Sequence, residues 1–380
     1  MDGGGNVLIF FPSCCIKNIN TPVFFQQHKI FLYDCCLTNK SLTLQFIFIK
    51  IRLTDFEKLN TILIIRLSSL GDILLTTPLV RSLKKKYPHL LIDFLLREEY
   101  SDVYKYNPYI NKLYTFSREN QTSSDLTLIK YDLIVDLQNN FRSSGIRKSI
   151  KTDHLRIFNK KTFDKFLLVN FKINRLKNSE QVPVRYAQVL GNFELDDEGL
   201  DLFTGDRNSS IKKNEKRYLG FAPGSRHFTK MWPEDSYMNL GKKLNEGGYT
   251  IVLFGGKDDR DLCRKMSEQI PGSIDLSNNN DLLQTAVNMN ECLAVVCNDS
   301  GLMHTACAMK VPVLVFYGST VKEFGFTPFR NKNLLLENYT LPCRPCTHIG
   351  KENCPKKHFK CMLELTPDSA FAKLKELIHK

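Results

Sequence analysis

Thr61-Ile62-Leu63-Ile64-Ile65-Arg66-Leu67-Ser68-Ser69-Leu70-Gly71-Asp72 is the stretch that decides how this chain folds. Its first five residues form an unbroken apolar run, the pattern of a short strand buried on both faces. A turn at 68–72 follows, and then Ile73, Leu75, Leu79, Val80, Leu83 and Tyr87 recur at helical spacing. Lys84-Lys85-Lys86 stand where basic side chains suit the negative end of a helix dipole. Pro78 predicts a kink or a restart inside that helix. Strand, tight turn and helix in this order open a doubly wound α/β domain.

The same alternation continues outward. Further strands are predicted at 90–96, 112–116 and 133–137, separated by helix-length segments, so the sheet is parallel with right-handed crossovers. A second series has strands at 218–222, 250–254, 273–276, 293–297 and 313–316, with helices at 234–245, 260–270, 281–290 and 302–309. Between the two series, residues 195–215 are acidic and then polar, with Gly199, Gly205 and Ser209-Ser210, a composition that reads as a linker. The expected organisation is an α/β chain of two Rossmann-like domains facing across a cleft. The first covers 59–205, the second 206–365, and a C-terminal helix at 366–380 is expected to cross back onto the first domain. Ligands should then sit at the carboxyl ends of the strands.

Residues 1–58 do not share this pattern. Gly3-Gly4-Gly5 leads into apolar runs at 7–11 and 46–49, broken by Pro12, Pro22 and polar clusters. The basic start, long apolar core and cleavage site of a secretory signal are missing. An extension outside the fold is expected, such as a start placed too far upstream. A segment lying on a membrane is the alternative, because 42–53 is apolar and carries Lys50 and Arg52 near its end.

Composition narrows the function classes. With 380 residues, 42% hydrophobic and 24% charged, the chain is neither disordered nor collagen-like. No apolar run reaches the ~18 residues of a spanning helix. Lys and Arg total 53 against 40 Asp and Glu, a net charge of +13 that favours polyanionic partners. The 12 cysteines leave a long gap between Cys36 and Cys263, unlike a small secreted disulfide framework. A reducing, cytoplasmic setting is expected.

Candidate chemistry gathers at the strand exits. Gly71 permits a tight turn, and Asp72 at a helix start stays ionised and can accept a proton from an attacking hydroxyl, or merely caps its helix. The loop lacks Gly-x-Gly-x-x-Gly, which argues against a standard dinucleotide turn. In 222–233, Gly224 leads into Ser225, Arg226, Thr229 and Lys230, which precede Trp232-Pro233 and offer hydroxyl and cationic donors to phosphate oxygens. In Gly255-Gly256-Lys257-Asp258-Asp259, the carboxylates, Asp259 in particular, suit ribose hydroxyls or a helix start. Asn298-Asp299-Ser300-Gly301-Leu302-Met303-His304 is the sharpest signal. The backbone N–H groups of Ser300 and Gly301 make a pyrophosphate seat at a helix start, with His304 one turn on or packed inside. In the first domain the segment 136–142, with Gln138 and Arg142, ends a strand. A basic stretch with Arg147, Lys148, Lys151, Lys160, Lys161 and Lys165 is interrupted by Phe158, Phe163 and Phe166. Cys343, Cys346, Cys354 and Cys361 are spaced as a zinc tetrad or a reduced structural knob.

Together, the Arg66–Asp72 motif, Ala222-Pro223-Gly224-Ser225 with Lys230-x-Trp232-Pro233, and Asn298-Asp299-Ser300-Gly301-x-x-His304 resemble glycosyltransferase family nine. That group contains the ADP-heptose:lipopolysaccharide heptosyltransferases. The resemblance runs from about Thr61 to Leu365. It implies a GT-B fold and an inverting transfer with Asp72 as general base and Lys230 supporting the departing diphosphate. Asp299, Ser300, Gly301 and His304 would hold nucleotide and diphosphate, Gly224, Ser225 and Asp259 would line the nucleotide-sugar site, and Ser69, Gly71, Gln138 and Arg142 the acceptor site. The donor would be an ADP-sugar and the acceptor a lipid A–core or other glycan, with peripheral contact at the anionic inner membrane and no nucleic acid. No cofactor is required, structural zinc apart. The rival classes are a non-catalytic nucleotide-sugar binder and a zinc-knuckle nucleic-acid binder.

Overall fold

The computed structural model describes residues 56–117, 124–191, 193–212 and 217–379, and, upstream, the backbone of two strands. Those two, β1 (Ile30–Asp34) and β2 (Gln45–Ile49), pair antiparallel. The remaining expectations for the leading segment lie outside the described residues. Its predicted boundary falls slightly late, because Phe56 already belongs to the core and stacks on Tyr87 with ring centroids 5.3 Å apart.

The first domain is built from β3 (Thr61–Ile65), α1 (Leu70–Leu74), α2 (Thr77–Lys86), β4 (Leu91–Arg97), β5 (Lys112–Phe116), α3 (Ser124–Leu128), β6 (Lys130–Asp136), α4 (Phe141–Ser149), β7 (Lys151–Ile157), α5 (Thr162–Phe171) and α6 (Val182–Ala187). Its five strands run parallel in the order β5-β4-β3-β6-β7. The chain restarts its helix at Pro78, which lies in the first turn of α2, where a missing N–H leaves no helical bond unmade. The edge strand β7 is absent from the sequence expectation. Its residues are mostly exposed and polar, so no apolar run marks it.

The second domain follows with β8 (Tyr218–Ala222), α7 (Glu234–Glu246), β9 (Thr250–Leu253), α8 (Arg260–Gln269), β10 (Ile274–Asp275), α9 (Leu282–Met289), β11 (Val295–Asn298), α10 (Gly301–Ala308), β12 (Val313–Tyr317), β13 (Asn333–Glu337), α11 (Lys360–Leu363) and α12 (Pro367–His379). The six parallel strands are ordered β10-β9-β8-β11-β12-β13. In both sheets the order reverses beside the first strand, between β3 and β6 and between β8 and β11, and ligand crevices form at such points. The architecture is the GT-B arrangement of two Rossmann-like domains, with α1 packed against α10 where the sheets approach one another.

Two expectations need correction. The C-terminal helix does not cross back. α12 packs on α7, β12 and β13, placing Ala370, Leu374 and Leu377 in the second domain's core with Trp232 and Phe316. The acidic stretch after the first domain is no loose linker either. Leu200 and Leu202 are buried, and the almost fully buried Arg81 of α2 binds Asp196 through Nε (2.9 Å) and Nη2 (2.7 Å), the Gly199 carbonyl, and Asp201. The carboxylates that looked solvated are the partners of one buried cation.

Candidate active site

Asp72 stands in the first turn of α1, immediately after the switch-point strand β3. Its Oδ2 accepts from the Ser69 hydroxyl at 2.9 Å and from the Ser69 N–H at 3.3 Å, which closes the start of the helix. Its Oδ1 lies 2.6 Å from Arg66 Nη2, and 20% of the side chain remains open to solvent. Burial pushes the carboxyl upward. The Arg66 guanidinium and the Ser69 donors outweigh it and hold the group below the usual carboxylate range. Arg66 is fixed in turn by donating to the Leu137 carbonyl at 2.6 Å. The result is an ionised carboxylate after the switch-point strand, braced through both oxygens and still partly open to solvent.

The loops of the second domain converge on the equivalent point. Asn298 ends β11; its Oδ1 accepts from the Trp232 N–H at 2.9 Å and its Nδ2 donates to the Pro223 carbonyl at 2.7 Å, tying the loop after β8 to the loop after β11. Lys230 Nζ therefore reaches Asp299 Oδ2 at 2.8 Å, and the same oxygen accepts from the Thr320 hydroxyl at 2.8 Å. Ser300 is the N-cap of α10 and Gly301 its first residue. Gly224 abuts Asp259, which in turn accepts from the Gly256 N–H at 3.2 Å. Burial raises the Asp259 carboxyl against the Gly256 bond, and the neighbouring Asp258 charge adds a smaller push the same way as burial. Gly224 and Ser225 follow β8, Asp259 follows β9 and α10 follows β11, so all of them lie at the carboxyl ends of strands around the second switch point.

The two groups meet. A methyl placed on Gly71 would stand 2.6 Å from His304 Cδ2, and one on Gly301 would stand 3.0 Å from Leu70 Cδ2. His304 is buried with Nδ1 unpartnered, and burial lowers its pKa to about 4, so the imidazole is neutral at pH 7. It is packed inside and feels the charges of Asp299, Asp72 and Lys230.

Other anticipated residues take different places. Gln138 uses its carbonyl to hold the Leu67 and Ser68 N–H groups at 3.0 and 3.1 Å, supporting the Asp72 loop from below. Arg142 is exposed and lies over the Phe116 ring at 5.7 Å. Cys343, Cys346, Cys354 and Cys361 are free thiols, and no three His, Cys, Asp or Glu side chains among the described residues are grouped to hold a metal. Cys361 belongs to the second domain's core, and burial pushes its thiol up to about 12. A hollow of about 380 Å³ bordered by Lys177, Gln181, Lys322 and Thr327 contains none of the anticipated residues. Sequence reasoning passed over Arg66, although it lies inside the decisive motif, and Thr320, whose position just beyond β12 was the available signal.

The family model described as Glycosyltransferase family 9 (heptosyltransferase) matches residues 123–357. Lipooligosaccharide heptosyltransferase 2 of Campylobacter jejuni is 24% identical over 318 residues, covering 81% of this chain and 96% of that protein. Among solved structures, a glycosyl transferase family 9 protein of Veillonella parvula aligns with a TM-score of 0.68 at 23% identity, covering 84% of this chain and 97% of that one. The Escherichia coli ADP-heptose lps heptosyltransferase II aligns with a TM-score of 0.64 at 22% identity, covering 84% and 98%.

Proposed function

Since the chain belongs to glycosyltransferase family 9, the heptosyltransferase family, we propose that it moves a heptosyl unit from ADP-heptose to a lipopolysaccharide-core acceptor, inverting the anomeric carbon. The observation that carries this reading is the meeting of the Asp72 turn with the Asp299–His304 segment, a carboxylate from one sheet beside a phosphate cradle from the other. The sugar and acceptor rest on the similarity to lipooligosaccharide and lps heptosyltransferases.

The acceptor hydroxyl lies between Asp72 and the anomeric carbon. Asp72 takes its proton as the oxygen attacks from the face opposite the diphosphate, a contribution of ~10²–10⁴ in rate. Negative charge then grows on the departing ADP. Lys230 and the N–H groups at the start of α10 offset it, so no further cation is called for. Asp299 and Thr320 hold Lys230 in position before the donor arrives. Incubation with ADP-heptose and with UDP- and GDP-sugars, followed by mass spectrometry, tests the assignment: release of ADP only with the acceptor present supports it, and exclusive use of another nucleotide overturns it.

The acceptor's lipid anchor places the reaction at the inner face of the cytoplasmic membrane. Phe163 (63% exposed), Phe166 and Phe171 project from α5 among Lys161 and Lys172, a mixture suited to an anionic surface. No helix among the described residues is long and apolar enough to cross a membrane, so contact is peripheral in this reading. Binding to anionic liposomes should fall with salt, and mobility shifts with nucleic acid at physiological salt should be absent. The cysteine segment serves as a reduced structural clasp, with zinc as the alternative that elemental analysis decides.

A further inference from the structure

Residues 338–359, between β13 and α11, form no helix or strand, a long run of irregular backbone for a compact domain. The run carries Cys343, Cys346 and Cys354. It grips the two loops that bring Lys230 and Asp299 together.

Arg344 holds the loop after β12. Its side chain is only 5% exposed. Nε donates to the Gly318 carbonyl at 2.6 Å, and Nη1 donates to the Asn338 carbonyl. Nη2 is shared among the carbonyls of Tyr317 (3.1 Å) and Thr320 (2.9 Å) and the carboxylate of Glu337 (2.8 Å). Carbonyls of a buried turn need donors, and one planar fork supplies them here. Thr320 is the residue whose hydroxyl braces Asp299, the partner of Lys230.

The backbone of Lys351 holds the loop after β8. Buried Thr229, the neighbour of Lys230, donates its N–H to the Lys351 carbonyl at 3.0 Å. Its hydroxyl accepts from the Lys351 N–H at 2.8 Å and donates to the same carbonyl at 3.1 Å. Phe228 stacks on Phe359 with ring centroids 4.7 Å apart. The two grips are joined, because the Ser319 N–H donates to the Thr229 carbonyl at 3.3 Å and the Cys346 N–H to the Ser319 carbonyl at 3.2 Å. A lysine ammonium on its flexible stem binds an anion best when its loop and its counter-ion are already fixed.

We propose that Arg344 and Thr229 are positioning residues for the donor: through them the cysteine-rich segment fixes Lys230 where the diphosphate of the ADP-sugar binds. The inference rests on the transfer reading for Lys230 meeting a diphosphate, and it gives the segment a part in donor binding besides its packing.

Calorimetric titration of the full chain with ADP tests it without acceptor or turnover. Thr229→Val removes the hydroxyl and should weaken ADP binding about threefold to tenfold, the size of a lost hydrogen bond. Thr229→Ser keeps the hydroxyl and should bind as the wild type does. Arg344→Lys keeps a charge opposite Glu337 but loses the fork, and should weaken ADP at least as much as Thr229→Val. In a Lys230→Ala background, itself weakened, neither substitution should weaken ADP further, since the group they position is gone. A merely structural loss would show in both backgrounds. Wild-type ADP affinity in Thr229→Val or Arg344→Lys, a loss in Thr229→Ser equal to that in Thr229→Val, or equal losses with and without Lys230 would each overturn the positioning role. Failure of ADP-heptose as a donor while these ADP results hold would instead refute the transfer reading.

Discussion

Gly71 of α1 lies directly against the imidazole of His304 of α10, so a methyl at residue 71 would come within 2.6 Å of its Cδ2. The contact joins the first turn of one domain to the first turns of the other. Gly71→Ala is expected to lower both the melting temperature and transfer. His304→Ala should lower stability by itself and relieve most of the Gly71→Ala penalty, giving a coupling of about 0.5–3 kcal/mol in a double-mutant cycle. Strictly additive effects would mean that the two residues do not press on each other.

Asp72→Asn preserves shape and removes the basic oxygen. Turnover should fall by ~10²–10⁴ while calorimetry finds ADP affinity near wild type. Because Arg66 keeps the carboxylate ionised, Arg66→Met should also reduce turnover and shift the acidic limb of the rate profile toward higher pH. Undiminished turnover in Asp72→Asn would remove the carboxylate from the mechanism.

Lys230, Asp299 and Thr320 act as a chain. Lys230→Ala should raise the KM for the ADP-sugar and lower turnover. Thr320→Val, which deletes only the hydroxyl that braces Asp299, should move both parameters the same way by a smaller amount. A donor titration indistinguishable from wild type in Lys230→Ala would count against its contact with the diphosphate.

His304 makes stability depend on pH. Its folded pKa, about 4, lies below the ordinary value of 6.5 because burial disfavours the charged ring; Asp299 and Asp72 oppose that shift and Lys230 adds to it. Between those values the unfolded chain binds a proton that the folded chain refuses. This contribution is therefore complete above pH 6.5 and is lost as the pH falls toward 4. From pH 7 to 4.5, the melting temperature of the wild type should fall more steeply than that of His304→Gln. Parallel curves would show that the buried ring is not the source.

Arg81→Met should be among the most destabilising single changes outside the crevice. It strands Asp201 and leaves Asp196 with only the exposed Lys85, and breaking a buried pair in this way costs about 3–5 kcal/mol. Thermal unfolding should show a clear drop, with activity per folded molecule retained at low temperature.

Much of this was legible in the chain. Apolar runs such as 61–65 and 313–316 could only be strands covered on both faces, and the loops after them had to open on the crevice. What escaped depended on partners distant in sequence. β7 is an exposed edge and carries no apolar signature; β13 is only half-buried along its length. The acidic stretch around Asp196 looked solvated because Arg81 lies 115 positions away. Asp72, Lys230, Asp299 and His304 stand in local motifs and could be picked out as candidates, whereas the bracing of Asp299 by Thr320 exists only once separate loops are brought together.

The mutual fit of Gly71 with His304 and of Leu70 with Gly301 bears on descent as well as on catalysis. Each lobe demands smallness from its counterpart at one position and supplies the bulk that fills the other, so drift in one half is checked by the half it faces. Chimaeras that splice either lobe onto a cousin's should survive only when both members of each pair travel together or are matched afresh.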